Sequence, residues 1–556
     1  MAGENANALS GGASVWTWLR SPVGGTGALA VAGIGLAGLS PLLAQPLPDG
    51  GPVAPHVFEY LFYRNEPRAA WLAMAIVLVA ALATRWNRTP ERFLVSRLAA
   101  DPRAFIAAVT VALAASAFLV YRAHPLSMDE YAPLFQARVF ARGHLAAKVP
   151  PLLLPRLVPP IRWFLEAAPT GEIVSAYWPG FALLLTPFAW LGIPWLLNPV
   201  IGALSLALLW RLARRLWPGT DAPGWAVLFA AASPTFSVNA ISFYSMGAHL
   251  AASLGFALLV LEGRLVLAGA IGSLALALHN PFPHALFALP FIAWISLRPA
   301  PVRNLLRLAL GYAPGLLVLV GGWMLFRARL THPQETQGGL LAGLDVVRRY
   351  AFTVPSPELL LERTMSLAEL ASWAVPLLLP LAVLGAVRCR ENAGARLLAL
   401  SALLTLLGYA FVPYDQGHGW GYRYFHGAWG ALPILAAGAL EKAETSGSLR
   451  KLMGVAAVCS LVLCTAIRFV QVRTFIDAHL AQLPSVPGGP GQRVIFVDPS
   501  RGSYSIDLVQ NDPFLENDRW ILISHGQTRD AQFMQAFFPR SRLAGRGPVA
   551  SVWVVE

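Results

Sequence analysis

Long apolar runs recur from one end of the sequence to the other, and they constrain the fold more than any motif does. Each run holds roughly 15–22 residues, enough for a helix that crosses the hydrocarbon core of a bilayer. Charged residues make up 13% of the chain and hydrophobic residues 56%. The charged share is about half that of a soluble domain, which argues against a soluble enzyme. The sequence therefore predicts an all-α polytopic membrane protein.

The runs predict about thirteen transmembrane helices. One crossing lies within 179–211, with a surface or re-entrant piece around Gly192–Pro194. The other crossings are predicted near 27–45, 69–84, 104–121, 225–240, 248–262, 265–279, 283–297, 308–326, 370–388, 397–413, 425–440 and 452–470.

Basic residues cluster in short connections between the runs. The groups lie in 85–103, 211–215, 298–307, 388–396 and 442–451. They fall on one side of the membrane if the crossings are counted correctly, and the positive-inside rule makes that side cytoplasmic. The N-terminus is then cytoplasmic and the C-terminus extracytoplasmic. This clustering also explains the net charge of +13 without a nucleic-acid partner.

Four longer passages are predicted on the extracytoplasmic side of the membrane, at 46–68, 122–178, 327–369 and 471–556. The second is proline-rich and predicts short helices on the membrane surface, and the third predicts amphipathic helices over 344–352 and 357–370. The last predicts a small α/β domain, with strands at 493–498, 519–525 and 551–556 and a helix at 529–538. The predicted divisions are N-terminal helices (1–103), a transmembrane module (104–470) with outer loop 122–178, and the extracytoplasmic domain (471–556).

An adjacent acidic pair, Asp129 and Glu130, opens the polar part of the loop 122–178. Ser127 and Glu130 have the spacing of a capping box, which gives the pair a purely structural explanation. Neighbouring residues on a helix point in different directions, so the two carboxylates do not form a glycosidase-like dyad. A single desolvated carboxylate remains a candidate general base. Arg138 follows on the same segment as a partner for acids or phosphates, or as an interfacial arginine.

A second group of polar residues occupies the connection 414–426 on the same face. It contains His418, Tyr422 and Arg423 between glycines and aromatic residues. Glycine permits close backbone approach to a ligand, and the arginine fork suits a phosphate. The alternative is a tight turn with interfacial aromatic anchors. Two shorter joins on this face place His249, His279 and Asn280 where they could line one cavity, although each fits an ordinary helix end.

Several segments together resemble the GT-C superfamily of membrane glycosyltransferases, in the branch with bacterial protein O-mannosyltransferases and aminoarabinose transferases. They are MDEYAPLFQARVFARGHL, YWPGFALLLTPFAWLGIP, LLWRLARRLWPG, HNPFPHALFALP and GHGWGYRYFHGAWGALPILAAGAL, within residues 100–470. Two spans precede the one that leads into the acidic loop, where many relatives have none. His279-Asn280 stands where an arginine is expected. The C-terminal domain lies outside the resemblance.

The resemblance implies an inverting sugar transfer from a polyprenyl-phosphate donor to an acceptor hydroxyl at the outer face of the plasma (inner) membrane. Asp129 is then the base, with Glu130 as its support or a metal contact. Arg423, and behind it His418 and Arg138, bind the donor phosphate. His249, His279, Asn280 and Tyr422 line the cavity. The acceptor is a glycan, lipid or protein, membrane lipids surround the helices, and a divalent metal is left open.

Two other functions fit the sequence. A transporter or flippase of lipid-linked glycans would also be polytopic, but transporters carry ionisable groups at mid-span, and here polar groups gather at the outer ends of the runs. A non-catalytic membrane protein of the same fold is the third hypothesis.

Overall fold

The computed structural model describes residues 22–47, 56–85, 90–159, 164–330, 354–442, 447–485 and 491–556. The helices are α1 (Pro22–Leu43), α2 (Val57–Ala83), α3 (Pro90–Ala100), α4 (Arg103–Leu119), α5 (Met128–Ala141), α6 (Leu154–Leu157), α7 (Pro179–Trp190), α8 (Leu197–Leu216), α9 (Ala222–Ala231), α10 (Pro234–Asn239), α11 (Met246–Leu261), α12 (Leu265–Ala277), α13 (Phe282–Ser296), α14 (Pro301–Leu330), α15 (Pro357–Ser372), α16 (Leu378–Arg388), α17 (Ala393–Ala410), α18 (His426–Trp429), α19 (Ala431–Leu440), α20 (Gly447–Leu480) and α21 (Gln527–Phe537). The strands are β1 (Ala147–Lys148), β2 (Leu165–Ala167), β3 (Glu172–Ser175), β4 (Arg493–Val497), β5 (Arg519–Ile523), β6 (Ser541–Arg546) and β7 (Ala550–Val555).

Within these described ranges, six helical stretches are long and apolar enough to cross a membrane, and a seventh arises if α3 and α4, bent by 99°, form one span. The six are the stretches Thr26–Leu43, Val57–Ala83, Pro194–Leu216, Pro301–Leu330, Ala393–Ala410 and Gly447–Leu480. Seven further apolar helices have only 10–17 residues. A ten-residue helix is about 15 Å long, half the hydrocarbon core. The protein is therefore an integral membrane protein of long and short apolar helices, and the predicted count of thirteen is not established.

Several predicted crossings are divided in the structure. The run 225–240 breaks at Ser233, where Pro234 begins α10 without an N–H to continue α9. The run 370–388 breaks between α15 and α16, where Leu377 adopts a left-handed φ of 77°. The region 179–211 contains the short helix α7 and most of the span-length stretch Pro194–Leu216, with a break at Gly192–Ile193 next to the predicted surface piece. The boundary predicted after residue 470 falls inside α20, which continues to Leu480.

Small residues let the helices approach closely. A Cβ on Gly311 would lie 2.0 Å from the Val266 carbonyl oxygen, and one on Gly269 would lie 2.2 Å from that of Leu308. The backbones of α12 and α14 therefore touch, as small residues allow in membrane helices. The GxGxxG pattern at 33–38 lies inside α1, where Gly33 meets the side chain of Leu377. Gly33 is therefore a packing position, whereas a Cβ on Gly35 or Gly38 would meet nothing within 4 Å among the described residues.

The basic connections come together at one end of the helices. Ser96 donates to Asp221 at 3.2 Å, and Arg211 lies 3.6 Å from Glu262. Asn392 donates to the carbonyl of Leu216 at 2.9 Å, and Arg450 donates to that of Leu440. A Cβ on Gly438 near the end of α19 would also lie 2.3 Å from the ring of Trp217, which directly follows α8. The connections around α3, α8, α16 and α19 thus share one end, in agreement with the charge argument.

The loop 122–178 holds more than the predicted surface helices. Besides α5 it forms a three-stranded antiparallel sheet in the order β1-β3-β2. The strands have two to four residues, too short for a periodic sequence signal. In the third outer passage, α14 extends to Leu330, α15 matches the predicted helix 357–370, and the predicted helix 344–352 lies outside the described residues.

The C-terminal α/β domain is a four-stranded sheet in the order β5-β4-β7-β6. Strands β4 and β5 are parallel, and α21 follows β5. Three predicted strands and the helix are present. The missed strand is β6, whose sequence SRLAGR is polar and nowhere buried. One hydrophobic cluster joins this sheet to the outer loop, with Phe496 and Leu522 packed in the same core as Tyr131 and Phe135.

Candidate functional site

Helix α5 begins in the way that the sequence predicted. Ser127 is an extended N-cap residue, and the Glu130 carboxylate reaches back to the Ser127 amide at 3.4 Å, as in a capping box. The same carboxylate accepts hydrogen bonds from the Leu126 amide at 2.6 Å, the Phe243 amide at 2.9 Å and the Tyr121 hydroxyl at 2.8 Å. Four donors occupy this fully buried group, so Glu130 anchors the start of α5 to the helix bundle.

Asp129 points away from Glu130, as adjacent helical residues must. Its Oδ2 accepts a hydrogen bond from Nη1 of Arg423 at 2.7 Å, and its Oδ1 accepts one from the Tyr177 hydroxyl. The side chain of Asp129 is 20% exposed and that of Arg423 is 6% exposed. The acidic loop and the connection 414–426, 294 residues apart, thus meet in one ion pair.

Aromatic rings and one glutamine hold Arg423. Its guanidinium lies 4.7 Å from the ring centroid of Tyr244 and 5.8 Å from that of Tyr424, in cation–π geometry. The amide of Arg423 donates to Gln416 at 2.7 Å. Its Nε is buried and has no hydrogen-bond partner among the described residues. The Nη1 of the guanidinium therefore donates to Asp129, whereas the Nε donor is unused among the described residues.

The electrostatics of the pair favour the charged forms. Burial raises the pKa of the Asp129 carboxyl, but Arg423, then His279 and the Tyr177 hydroxyl, outweigh burial and lower it to about 2. Burial lowers the pKa of Arg423, and the Asp129 carboxylate more than reverses this, so its pKa lies above the ordinary value. For Glu130, burial outweighs the hydrogen bonds and raises the pKa to about 7. The pKa of Asp129 is thus lowered and that of its neighbour Glu130 is raised.

Tyr177 is positioned by residues from several elements. Its ring lies against that of His279, with centroids 4.3 Å apart. Its carbonyl accepts from the indole of Trp323 in α14 at 3.0 Å. Arg327 pairs with Glu166 and donates to the Ala176 carbonyl at 2.9 Å. Among the predicted cavity residues, His279 therefore lies next to the ion pair, because its ring contacts Tyr177, which hydrogen-bonds to Asp129.

The other predicted residues are distributed around the ion pair. His418 is buried, with its Nε2 3.6 Å from a carboxylate oxygen of Asp507. Arg138 lies nine residues beyond Asp129 on α5, about 13 Å along the helix axis, and is not part of the pair. Tyr422 stacks on Phe425, and within the described part of the chain it makes no hydrogen bond to Asp129 or Arg423.

His249 and Asn280 have positions typical of helix starts. His249 is buried in the first turn of α11, near His279 and His426. The Asn280 side chain accepts from the Phe282 amide at 3.1 Å, which forms the turn into α13. Neither contacts Asp129. Of the predicted cavity-lining set, only His279 adjoins the ion pair.

The described residues do not suit a divalent cation here. They contain no group of three or more His, Cys, Asp and Glu side chains that could hold a metal ion. Glu130, the predicted metal contact, is filled by four hydrogen-bond donors, and both oxygens of Asp129 have partners.

Sequence reasoning missed four participants. Tyr177 lies two residues before the start of α7 and was not singled out from the sequence. Tyr244 lies in the polar join 242–249, from which only His249 was predicted to take part. Gln416 lies in the connection 414–426 without a distinctive pattern. Asp507 comes from the C-terminal domain, where nothing in YSIDLVQ marks one acidic residue as reaching another domain.

The helix bundle, the outer loop and the small C-terminal sheet domain form an integral membrane protein whose fold resembles that of solved GT-C enzymes. No protein-family model matches the chain, and no curated protein matches it. Its structure is similar to that of ArnT from Cupriavidus metallidurans, an aminoarabinose transferase, in two solved structures, one apo and one bound to undecaprenyl phosphate. The TM-scores are 0.52 for the apo structure and 0.50 for the bound structure. Each match has 13% sequence identity and covers 82% of this chain and 98% of that chain. The similarity to the GT-C superfamily is confirmed as a similarity of fold.

Proposed function

We propose that this protein is a membrane glycosyltransferase, moving a sugar from a polyprenyl-phosphate donor to an acceptor hydroxyl with inversion. The observation that carries the proposal is the ion pair of Asp129 and Arg423, which joins a carboxylate to a partly uncommitted guanidinium. The ArnT fold supports it, because ArnT itself has been solved with undecaprenyl phosphate.

Arg423 is the proposed ligand of the donor phosphate. Its unused Nε donor suits a phosphate oxygen, and tyrosine rings on two sides hold the guanidinium in place. The phosphodiester of the donor, which carries one negative charge, competes with Asp129 for the guanidinium, and the lipid phosphate released by transfer carries a second charge. We therefore expect donor binding to loosen the ion pair.

Asp129 is the proposed general base. In the free protein Arg423 keeps the carboxylate ionised and weakly basic. When the donor phosphate takes over part of Arg423, the pKa of Asp129 rises and the carboxylate accepts the proton of the acceptor hydroxyl. The acceptor oxygen then attacks the anomeric carbon opposite the phosphate. The carbon–oxygen bond to the phosphate breaks, and the lipid phosphate leaves with the electron pair. A single displacement inverts the anomeric centre.

The remaining predicted residues have supporting roles in this proposal. Glu130 anchors α5 and does not touch the reacting atoms, because four donors fill its carboxylate. His279 orients Tyr177, and His418 supports the connection that carries Arg423. Arg138 is more distant and would meet only the acceptor or a lipid headgroup.

The proposed site faces the outside of the plasma (inner) membrane. Helix α8 begins beside the site, where Asn198 donates to the Tyr244 carbonyl at 2.9 Å, and ends at the basic connections with Arg214 and Arg215. The positive-inside rule makes that basic end cytoplasmic. In this orientation the N-terminus is cytoplasmic and the domain after α20 is extracytoplasmic.

Asp129→Asn tests the proposal in purified full-length protein. We expect transfer from a panel of undecaprenyl-phosphate sugars to fall at least about 10³-fold while the affinity for undecaprenyl phosphate is kept, because only the base is lost. Glu172→Gln, a change of a half-exposed carboxylate in the same outer loop, is the control and keeps wild-type transfer. Full transfer by Asp129→Asn would remove the base assignment.

Arg423→Ala tests the phosphate role. We expect undecaprenyl phosphate to bind at least about tenfold more weakly, because a charge-assisted hydrogen bond is lost. Unchanged binding would show that the phosphate lies elsewhere. Wild-type protein that carries undecaprenyl-phosphate sugars across vesicle membranes, with no transfer to any acceptor, would favour the transporter instead.

A further inference from the structure

The C-terminal domain extends one carboxylate into the helix bundle. Asp507 lies in the helical turn Ser505–Leu508, between β4 and β5, and is 7% exposed. Its Oδ1 accepts a hydrogen bond from the Met128 amide at 2.8 Å. Met128 is the first residue of α5, and its amide is one of the N–H groups that a helix start leaves without an internal partner. A residue 379 positions away thus caps the helix that carries Asp129.

The second oxygen of Asp507 faces the other half of the candidate site. It lies 3.6 Å from Nε2 of His418, just beyond hydrogen-bond length, and that buried nitrogen has no other partner among the described residues. His418 belongs to the connection that carries Arg423. Its carbonyl accepts from the Tyr244 hydroxyl at 2.6 Å, and the Tyr244 ring lies beneath the Arg423 guanidinium. One side chain therefore contacts both segments that supply the ion pair.

Neighbours of Asp507 hold the same helix start. The Tyr131 hydroxyl donates to the carbonyl of Asn511 and accepts from its amide, each at 2.8 Å. The Gln510 side chain donates to the Pro125 carbonyl at 2.8 Å. Residues 507–511 therefore bind the chain on both sides of Asp129, at Pro125, Met128 and Tyr131.

We propose that Asp507 is a positioning residue, which sets the Asp129 carboxylate against Arg423 by capping α5 and bracing the connection at His418. The role rests on the function proposed above. Catalytic groups must be held within a fraction of an ångström, and here the holding side chain comes from the C-terminal domain. This domain then completes the site instead of being an appendage.

The protonation states suit this role. Burial, followed by the charges of Asp129 and Glu130, outweighs the Met128 hydrogen bond and raises the pKa of Asp507 to about 8. Burial lowers the pKa of His418 to about 3. At neutral pH a carboxylic acid therefore faces a neutral imidazole, with 3.6 Å between the Asp507 oxygen and the Nε2 of His418. Asparagine reproduces this pattern, since its carbonyl accepts from Met128 and its NH₂ donates to His418.

Two measurements on full-length protein in lipid nanodiscs test the proposal. In hydrogen exchange, Asp507→Ala is expected to speed exchange of the amides at 128–131 about tenfold, whereas Asp507→Asn stays near wild type. In transfer with an undecaprenyl-phosphate sugar that wild type uses, Asp507→Ala is expected to lower kcat about 100-fold with KM nearly unchanged. Asp507→Asn is expected to restore kcat to within about threefold of wild type.

Glu516→Ala is the matched control. Glu516 comes from the same domain and pairs with Arg142 just beyond the end of α5, but this ion pair is half-exposed. We expect wild-type exchange and transfer. Should Asp507→Ala not fold, Asp507→Glu carries the test, because its extra methylene displaces the helix start and is expected to lower kcat about tenfold in folded protein.

Wild-type kcat in Asp507→Ala or Asp507→Glu overturns the proposal, and so does an Asp507→Asn variant as slow as the alanine variant. Unchanged exchange at 128–131 in Asp507→Ala also overturns it. A wild-type protein that transfers no sugar contradicts the proposed function instead, and the exchange comparison still decides whether Asp507 holds the start of α5.

Discussion

The ion pair of Asp129 and Arg423 is costly to bury, and its surroundings explain why it persists. A buried charge without a partner would lose several kcal/mol of hydration free energy. Here each charge neutralises the other, Tyr177 donates to the carboxylate, and Tyr244 and Tyr424 face the guanidinium. The folded-state pKa of Asp129 is depressed to about 2, so this contribution to stability is present above about pH 4 and is lost as the pH falls through 2.

Tyr177→Phe tests how the carboxylate is tuned. The hydroxyl lowers the pKa of Asp129, so its removal raises that pKa and moves the acidic limb of the pH profile of kcat/KM to higher pH. We expect kcat to fall about three- to tenfold at neutral pH, because one hydrogen bond that orients the carboxylate is lost.

Tyr424→Phe is the matched control for Tyr177→Phe. It also removes a tyrosine hydroxyl beside Arg423, but that hydroxyl donates to the Asp415 carbonyl and does not reach Asp129. The acidic limb should stay in place. A limb that moves equally in both variants, or toward lower pH in Tyr177→Phe, would contradict the role of the hydroxyl.

At the scale of elements, a second buried ion pair fixes α2 to α20. Both guanidinium nitrogens of Arg468 lie 2.7 Å from the carboxylate oxygens of Glu66, and both side chains are 1% exposed. The Trp373 indole also donates to Glu66 at 2.7 Å. Helix α15 is therefore tied to the same pair. Sequence patterning did not predict this link, because each charge stands alone within its own segment.

Removal of one partner should destabilise the protein strongly. We expect Glu66→Gln or Arg468→Met to lower the free energy of unfolding by about 3–5 kcal/mol, because a buried charge is left without its partner. The double variant should lose less than the sum of the two singles. Unfolding in detergent, followed by circular dichroism, measures these differences.

Arg390→Ala is the control for this pair, because the Arg390–Glu391 contact is exposed and should contribute at most about 1 kcal/mol. Additive losses in the Glu66 and Arg468 variants would mean that the two residues act independently.

The elements differ in how far the sequence revealed them. The apolar runs predicted α11, α12, α13 and α17 to within a few residues, because an uninterrupted hydrophobic segment permits little else in a bilayer. Helix α2 begins 12 residues before its predicted run, and α20 ends 10 residues after its own. The breaks at Ser233 and Leu377 were missed, since two short helices have the same composition as one long helix. Strand β6 and the small sheet of the outer loop lack an apolar alternation.

The candidate site was predicted in outline only. Asp129 and Arg423 were found because polar residues at the ends of apolar runs are conspicuous. Their direct contact, and the part taken by Tyr177 and Asp507, depend on packing between segments hundreds of residues apart. No local pattern carries that information.

At the scale of the whole molecule, the bundle has two chemically different ends. The basic connections meet at one end, near Asp221 and Glu262. The ion pair, the sheet of the outer loop and the C-terminal domain lie together at the other, joined by a common hydrophobic core. Arg156 of the loop and Asp530 of the domain add a buried contact of 2.6 Å between these parts. This asymmetry agrees with the proposed function, in which the lipid donor and the acceptor meet on one side of the membrane.

Cysteine labelling of intact cells tests the orientation that this asymmetry predicts. The two variants are Gln527→Cys and Arg390→Cys. Gln527 lies in the exposed first turn of α21, and Arg390 lies in an exposed basic connection. We expect a membrane-impermeant maleimide to label Gln527→Cys before permeabilisation and Arg390→Cys only afterwards, because the proposed orientation puts the basic end in the cytoplasm. Wild-type protein reports the background of the three native cysteines, of which Cys389 and Cys464 are buried. The reverse labelling order would put Asp129 on the cytoplasmic side, and a donor presented at the outer face would then never reach it.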